Sequence, residues 1–262
     1  MAWFKVLAIL AIILAGLFGG LIPSRIGASD RSLRFLGLGN ALSAGIFLGA
    51  GLLHMLADAL ENLKAFSENL DYPYAILLCG CGFLFVLLLD KVLLREEDVV
   101  DASEGRPIYP FMLTLVLSIH SIIAGATLGL EKSLVSSIVI FIAIISHKGC
   151  AAFALGVSLR EAAFPRKRMV GVIALFSCMT PLGIILGSVF STMLKGKAAY
   201  AVEAVFDGVA AGTFLYIAIL DIMVEVILDI MVEVFLHRED RWVNYFLMAL
   251  GFALMAFIAI WT

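Results

Sequence analysis

Two histidines lie deep within apolar stretches of the chain, where an ionisable side chain needs a physical reason to be present. His120 stands in the segment SIHSIIAG, and His147 stands in the segment SHKGC, directly before Lys148. A charged side chain at the centre of a bilayer costs about 2.5–3.5 kcal/mol on insertion scales, so such groups usually face a wet pathway or a bound ion. Imidazole is also a common ligand of zinc. These residues therefore predict a metal site inside a membrane.

A second polar stripe contains His54, Asp58 and Glu61. Their spacing of four and three residues places them on one face of a helix. Imidazole with carboxylate suits zinc and other first-row divalent ions, whereas a calcium cage needs more carboxylates than converge here. We therefore predict that His54 and Asp58 are metal ligands. A plain hydrogen bond between them that ties helices together stays open as the alternative.

The composition places these residues in a membrane protein. Hydrophobic residues make up 63% of the 262 residues, charged residues only 15%, and the mean hydropathy is +1.08. Apolar runs approach the roughly 20 residues that a helical span needs. They leave no room for a separate catalytic or nucleic-acid-binding domain, and the net charge of -3 offers no basic patch for a nucleic acid. We expect one integral membrane domain over residues 1–262.

Breaks in hydropathy predict eight membrane spans, all of them helices. The runs lack the alternating pattern of a membrane barrel, and a lipid-facing backbone must satisfy its own hydrogen bonds. The first run resembles a signal peptide, but its length and its lack of a small-residue cleavage site favour a span. The predicted spans are 3–22, 35–60, 74–94, 108–130, 134–159, 169–194, 198–226 and 243–261.

The distribution of basic residues predicts the orientation. Of the 18 Lys and Arg residues, twelve lie in the odd-numbered connections and four in the even-numbered ones. Since Lys and Arg are retained on the cytoplasmic side, the odd connections face the cytoplasm and both termini face the other side. At the outer end of span seven, Glu203 and Asp207 are four residues apart and could serve a cation entrance. Capping of the helix start explains Glu203 equally well.

Four cysteines fall within predicted spans, so they predict no disulfide framework. Cys150 differs from the others because it follows His147 by three residues and shares its helical face. A thiolate at that place could join a soft metal site. Spans four and five are joined by about three residues, which makes them antiparallel neighbours and places His120 and His147 in one site.

Five ordered blocks of residues resemble the ZIP (Zrt-, Irt-like protein) family of divalent-metal transporters. The resemblance covers nearly the whole chain and is specifically to the branch that contains animal and plant plasma-membrane zinc and iron importers. The blocks are Phe47–Leu56, His120-Ser121 with Gly125, His147-Lys148-Gly149, Phe176–Gly183 and Ala210–Tyr216.

The resemblance implies zinc influx, with the ion held between spans four and five by His120, Ser121 and His147. Many family members carry a carboxylate four residues after each of these histidines, but this chain has Ala124 and Ala151 there. Lys148 stands where dinuclear members often carry an acid, and its charge would repel a second cation. The resemblance therefore implies a mononuclear site with fewer carboxylates. It is also compatible with a homodimer and favours the plasma membrane, with an organelle membrane as the alternative.

Two further features distinguish the chain from the family pattern. The cytoplasmic loop, about residues 95–107, is short and contains no histidine, so we expect no metal-sensing role for it. The segment Ile219–Val226 recurs verbatim as Ile227–Val234. This duplication adds about 12 Å of helix. It is either an acidic exit stalk or a slippage duplication that the protein tolerates.

The leading hypothesis is a carrier that moves Zn²⁺, with Fe²⁺, Mn²⁺ or Cd²⁺ as further substrates, by alternating access without ATP and without a prosthetic group. No Gly-rich phosphate loop of the Walker type appears in the sequence. The alternative is an intramembrane metal-dependent enzyme that uses the same histidines. That reading requires a third strong ligand and a general base, and the sequence has no H-E-x-x-H motif. A receptor that senses metal without moving it is a third possibility.

Overall fold

The computed structural model describes residues 2–27, 29–67, 71–93, 108–190, 197–223 and 240–261. Throughout these ranges the chain is helical and contains no strand. Three segments are π-helical turns, namely Ala50–Met55, Leu88–Leu93 and Ile217–Met223. The α-helices are α1 (Ala2–Arg25), α2 (Asp30–Gly49), α3 (Leu56–Phe66), α4 (Tyr74–Leu87), α5 (Ile108–Leu130), α6 (Leu134–Glu161), α7 (Arg166–Phe190), α8 (Lys197–Tyr216) and α9 (Asp240–Ile258).

The predicted all-α membrane bundle is confirmed. Six helical segments among the described residues are long and apolar enough to cross a membrane, and two shorter apolar helices accompany them. In chain order these eight segments match the eight predicted spans. Two predictions lie outside the described residues: the cytoplasmic loop at 95–107 and the second copy of the duplication, Ile227–Val234. The six long segments are Ala2–Arg25, Arg34–Phe66, Leu113–Leu130, Leu134–Glu161, Arg166–Val189 and Ala199–Leu220.

The helices pack in two groups. In the first group, α5 lies against α7, and α1 lies against both α6 and α7. In the second group, α2 lies against α9, while α8 lies against α3 and α4. The groups meet chiefly where α2 packs on α6. The predicted metal ligands are therefore distributed between two bodies: His120 and His147 lie in the first group, and His54 and Asp58 lie in the second.

Glycines bring the helices of each group into backbone contact. A Cβ added to Gly212 of α8 would overlap the carbonyl oxygen of Cys79 in α4. In the first group, a Cβ on Gly125 of α5 would overlap the carbonyl oxygen of Thr180 in α7. Because lipid removes the hydrophobic drive between helices, membrane bundles depend on such close approach. The glycines thus set the helix spacing on which the positions of the polar side chains depend.

The contact at Gly212 can be tested by a single methyl group. We expect Gly212→Ala to destabilise the bundle by about 1–3 kcal/mol, because the methyl group forces α8 away from the backbone of α4. Gly80→Ala, in α4, is the matched control because nothing lies within 4 Å of its added Cβ. The measurement is thermal unfolding in detergent. Equal unfolding midpoints for the two variants would contradict this account of the packing.

Candidate functional site

The structure brings His120 and His147 together where the first helix group meets the second. The centroids of their rings are 5.6 Å apart. Both side chains are buried, with exposed fractions of 7% for His120 and 3% for His147. The three-residue connection between α5 and α6 explains this arrangement, because it forces the two helices to run antiparallel side by side.

His54 approaches the same place from the second helix group. It lies in the π-helical turn Ala50–Met55, between α2 and α3. Its ring centroid is 6.4 Å from that of His147, and its Nδ1 is 3.1 Å from Oδ2 of Asp58. Asp58 is about one-third exposed, whereas His54 is more deeply placed. Glu61, the third member of the predicted stripe, is exposed. Single π-helical turns are frequent at functional sites.

The ring nitrogens of His120 lack partners among the described residues. Both of them are buried without a hydrogen bond. A buried polar group left unpaired costs about 1–3 kcal/mol, so in a native protein it points to a water or an ion. Neutral imidazole nitrogens are also the form that coordinates zinc.

The three imidazoles approach one another without forming a closed coordination sphere. Within the described ranges, no three His, Cys, Asp or Glu side chains are close enough together to hold a metal ion. Zn–N bonds are about 2.0–2.1 Å long. The rings of His54, His120 and His147 would therefore have to turn and close around an ion to share it. The site has a suitable donor set in an open geometry.

Two phenylalanines form the apolar wall of the site. The ring of Phe214, in α8, lies 4.7 Å from that of His120 and 6.1 Å from that of His147. Phe47, in α2, packs edge to face on Phe214 at 4.9 Å, and both phenylalanines are fully buried. A phenyl ring supplies no ligand atom, so the coordination at this side of the site stays incomplete.

Lys148 hydrogen-bonds to neutral groups of neighbouring helices. Its Nζ donates to Oγ of Ser121 at 2.9 Å and to the carbonyl oxygen of Phe176 at 3.0 Å. The same nitrogen lies 3.5 Å from the centroid of the Phe176 ring, a cation–π contact. Lys148 thus links α5, α6 and α7 while it is only 2% exposed. Ser121, a predicted metal ligand, is also the acceptor for this lysine.

Polar side chains from α3 and α8 meet at the predicted outer end of the bundle. Asn62 donates from Nδ2 to Oδ2 of Asp207 at 3.3 Å. Asp58 and Glu203 both interact electrostatically with Asp207. The predicted entrance residues Glu203 and Asp207 therefore lie beside Asp58, which in turn contacts His54. The arrangement is a short series of carboxylates that leads to an imidazole.

Cys150 lies one turn beyond His147 on α6, and a side-chain hydrogen bond joins it to Ser43 of α2. The structure thus places this predicted pathway residue at the interface between the two helix groups. Ala151, which stands where the family often has a carboxylate, is buried in the main hydrophobic core. No ligand atom replaces that carboxylate at this position.

The sequence did not predict several residues of the site. Phe214 gave no signal, because a phenylalanine in an apolar run is ordinary core composition. Asn62 was detectable in principle, since it follows Asp58 by four residues and so shares its helical face. Ser43 and the π-helical turn at His54 had no local signal.

The fold and the site together define an integral membrane protein with imidazoles inside its helix bundle and carboxylates beside one of them, an arrangement that fits a metal transporter. A family profile described as ZIP Zinc transporter matches residues 2–96 and 94–259. The chain therefore belongs to the ZIP zinc transporter family. The predicted family and the predicted class, a membrane transporter of zinc, are confirmed.

Individual relatives cover most of the chain. It is 29% identical to zinc transporter ZIP2 of Mus musculus, over 98% of this chain and 97% of the relative. It is 31% identical to zinc transporter ZIP2 of Homo sapiens, over 87% of this chain and 85% of the relative. The identity to zinc transporter ZIP1 of Danio rerio is 29%, over 84% and 87% of the two chains.

The unpartnered nitrogens of His120 predict the effect of removing this side chain. We expect His120→Ala to weaken zinc binding at least about tenfold, or ~1.4 kcal/mol, because one ligand is lost. Thr114→Val on the same helix is the control, since its hydroxyl donates to the carbonyl oxygen of Pro110 in its own helix. Isothermal titration of the detergent-solubilised protein measures both variants. An unchanged dissociation constant in His120→Ala would remove this histidine from the ligand set.

Proposed function

We propose that this protein carries Zn²⁺ into the cytosol by an ATP-independent alternating-access mechanism. One observation supports this proposal above all: the imidazoles of the site come from both helix groups. His120 and His147 belong to the first group, and His54, 6.4 Å from His147, belongs to the second. A movement of one group against the other would therefore change the coordination of a bound ion.

The outer carboxylates give the ion a way in. Asp58 and Glu203 both interact electrostatically with Asp207, and carboxylate oxygens are suitable ligands for a passing divalent cation. From Asp58 the ion passes to His54, whose Nδ1 is 3.1 Å from the carboxylate. His120 and His147 then take it from His54. Each step exchanges one oxygen or nitrogen ligand for another, which keeps the ion solvated along the path.

Apolar packing next to the histidines supports a carrier whose helices move during transport. The main hydrophobic core includes Phe47, Ala151, Leu155, Ile173 and Phe214. An ion that leaves His147 toward the cytosol has to pass between these packed helices, so its release requires a movement of one helix group against the other.

A carrier fits this arrangement better than an intramembrane metalloenzyme, so we propose no enzymatic activity and no prosthetic group. The polar residues follow one another from α3 and α8 to α5 and α6. Successive ligands of this kind can pass an ion from one end of the path to the other. Fe²⁺, Mn²⁺ and Cd²⁺ are proposed as further substrates, because imidazole and carboxylate ligands bind all of them. The single positive charge of Lys148 beside the histidines supports a mononuclear site.

The resemblance to the family supports a homodimer in the plasma membrane as the working state. The excess of Lys and Arg in the odd-numbered connections supports termini on the non-cytoplasmic side. With this orientation, the path from Asp58 to His147 runs from outside toward the cytosol.

Uptake into proteoliposomes tests the proposed function. We expect the intact protein to admit radioactive zinc without ATP, and the double variant His120→Ala, His147→Ala to admit no more than empty vesicles, because both buried ligands are missing. Thr114→Val, reconstituted to the same amount, controls for effects of mutation and reconstitution that do not involve the histidines. Zinc uptake by the double variant at the rate of the intact protein would refute the assigned site.

The orientation predicts which connections are reached from outside an intact cell. Lys132, between α5 and α6, and Lys167, at the start of α7, are both exposed. In a background with the native cysteines changed to alanine, an impermeant maleimide should label Lys132→Cys in intact cells. It should label Lys167→Cys only after permeabilisation. The opposite pattern would reverse the proposed direction of transport.

A further inference from the structure

The interface between α2 and α6 continues beyond the histidines toward the predicted cytoplasmic side. On each helix, residues spaced by three and four share one stripe, and the stripe of α2 meets α6 at Leu36 and Ser43. Leu36 packs with Phe153 and Val157 in a small core, and Ser43 meets Cys150, so the two helices run antiparallel in register. The stripe of α2 is Leu36, Asn40, Ser43 and Phe47, and that of α6 is His147, Cys150, Ala154 and Val157.

The thiol of Cys150 and the hydroxyl of Ser43 meet within this interface. The Ser43 hydroxyl donates its proton to the carbonyl oxygen of Gly39 at 2.9 Å. The sulfur of Cys150 lies within hydrogen-bonding reach of this hydroxyl. Three residues separate Cys150 from His147, an axial distance of about 4.5 Å.

Asn40 provides a second, independent observation. Its side chain is only 5% exposed, and its Oδ1 is buried with no hydrogen-bond partner in the part of the chain that the structure describes. Asn40 lies one turn from Ser43 in the stripe of α2 that faces α6. Buried amide oxygens are nearly always satisfied, so this one indicates a ligand that visits the interface.

We propose that Cys150, Ser43 and Asn40 form a second, transient metal-binding position on the cytoplasmic side of the histidines. This inference rests on the proposed function, because the position receives the ion that leaves His147. As the ion arrives, the S–H bond of Cys150 breaks, its proton passes to water, and a sulfur–metal bond forms. The hydroxyl oxygen of Ser43 and the amide oxygen of Asn40 complete the ligand set.

The chemistry of these ligands predicts a preference among substrates. A thiolate favours soft cations such as Cd²⁺ and also binds Zn²⁺, whereas Mn²⁺ prefers oxygen ligands. A thiol that merely packed between the helices would affect all substrates equally. The ratio of cadmium to manganese uptake therefore separates a ligand from a structural residue.

Direct binding is tested with cadmium on the full-length protein. A single-cysteine protein retains Cys150 and has Cys79, Cys81 and Cys178 changed to alanine. Its matched control also carries Cys150→Ala. We expect Cd²⁺ to produce the ultraviolet charge-transfer absorption of a cadmium–thiolate bond in the first protein and none in the control. Absence of this absorption in the single-cysteine protein would overturn the proposal.

Transport is tested by uptake of Cd²⁺ and Mn²⁺ into proteoliposomes. We expect Cys150→Ala to lower cadmium uptake about tenfold relative to manganese uptake, since only the soft ion depends on sulfur. Cys150→Ser keeps a polar group at the interface and should also lose the preference for cadmium. This variant keeps the test valid if the alanine variant fails to fold. Cys178→Ala, at an exposed position, is the control. An unchanged ratio in both Cys150 variants would overturn the proposal.

The outcomes also separate this inference from the proposed function. Normal zinc uptake with no cadmium–thiolate absorption would overturn the second position and leave the carrier intact. A cadmium–thiolate absorption in a protein that moves no metal would overturn the carrier function, and with it the passage of the ion from His147 to Cys150.

Discussion

Burial of imidazole nitrogens without partners is the constraint on which the rest of the structure depends. His120 has two such nitrogens in the middle of an apolar bundle, beside His147 and against the ring of Phe214. A hydrocarbon interior offers no water to satisfy them, so the cost persists until a ligand arrives. A cation bound by these nitrogens would remove this cost, which is why the unpartnered imidazole supports the proposed metal site.

The packing of the helices serves this site. Backbone contacts at glycines such as Gly125 and Gly212 fix α5 on α7 and α8 on α4. Lys148 adds a polar link inside the first group by binding Ser121 and the carbonyl oxygen of Phe176. Each group is thus tied internally, while the site lies where the two groups meet. Under the proposed function, a bound ion would therefore respond to the relative position of the two groups.

Much of this fold is predictable from the sequence because lipid imposes a simple rule. An apolar run of sufficient length must be a helix, and a connection of three residues makes α5 and α6 antiparallel neighbours. The proximity of His120 and His147 follows from that connection. Helical periodicity alone predicts that His54 and Asp58 share one face of a helix. The distance of 3.1 Å between Nδ1 of His54 and Oδ2 of Asp58 agrees with this prediction.

Other parts of the site depend on how the helices are rotated, which hydropathy does not encode. The approach of Phe214 to His120 and the turn of Lys148 toward Phe176 are of this kind, because each joins residues far apart in the chain. The π-helical turn Ala50–Met55 is set by its tertiary contacts, including Gly51 against the carbonyl oxygen of Ala211. The sequence shows alanine at positions 124 and 151, where the family often has a carboxylate. How this loss changes the coordination can be judged only from the structure.

Zinc K-edge X-ray absorption of the zinc-loaded protein tests the central claim most directly, because it reports the atoms bound to the metal. The account predicts nitrogen neighbours at about 2.0–2.1 Å with the multiple scattering of at least two imidazoles. That scattering should disappear when His120 and His147 are both replaced by alanine. A first shell of oxygen atoms alone, unchanged in that variant, would contradict the claim that these buried imidazoles bind the transported ion.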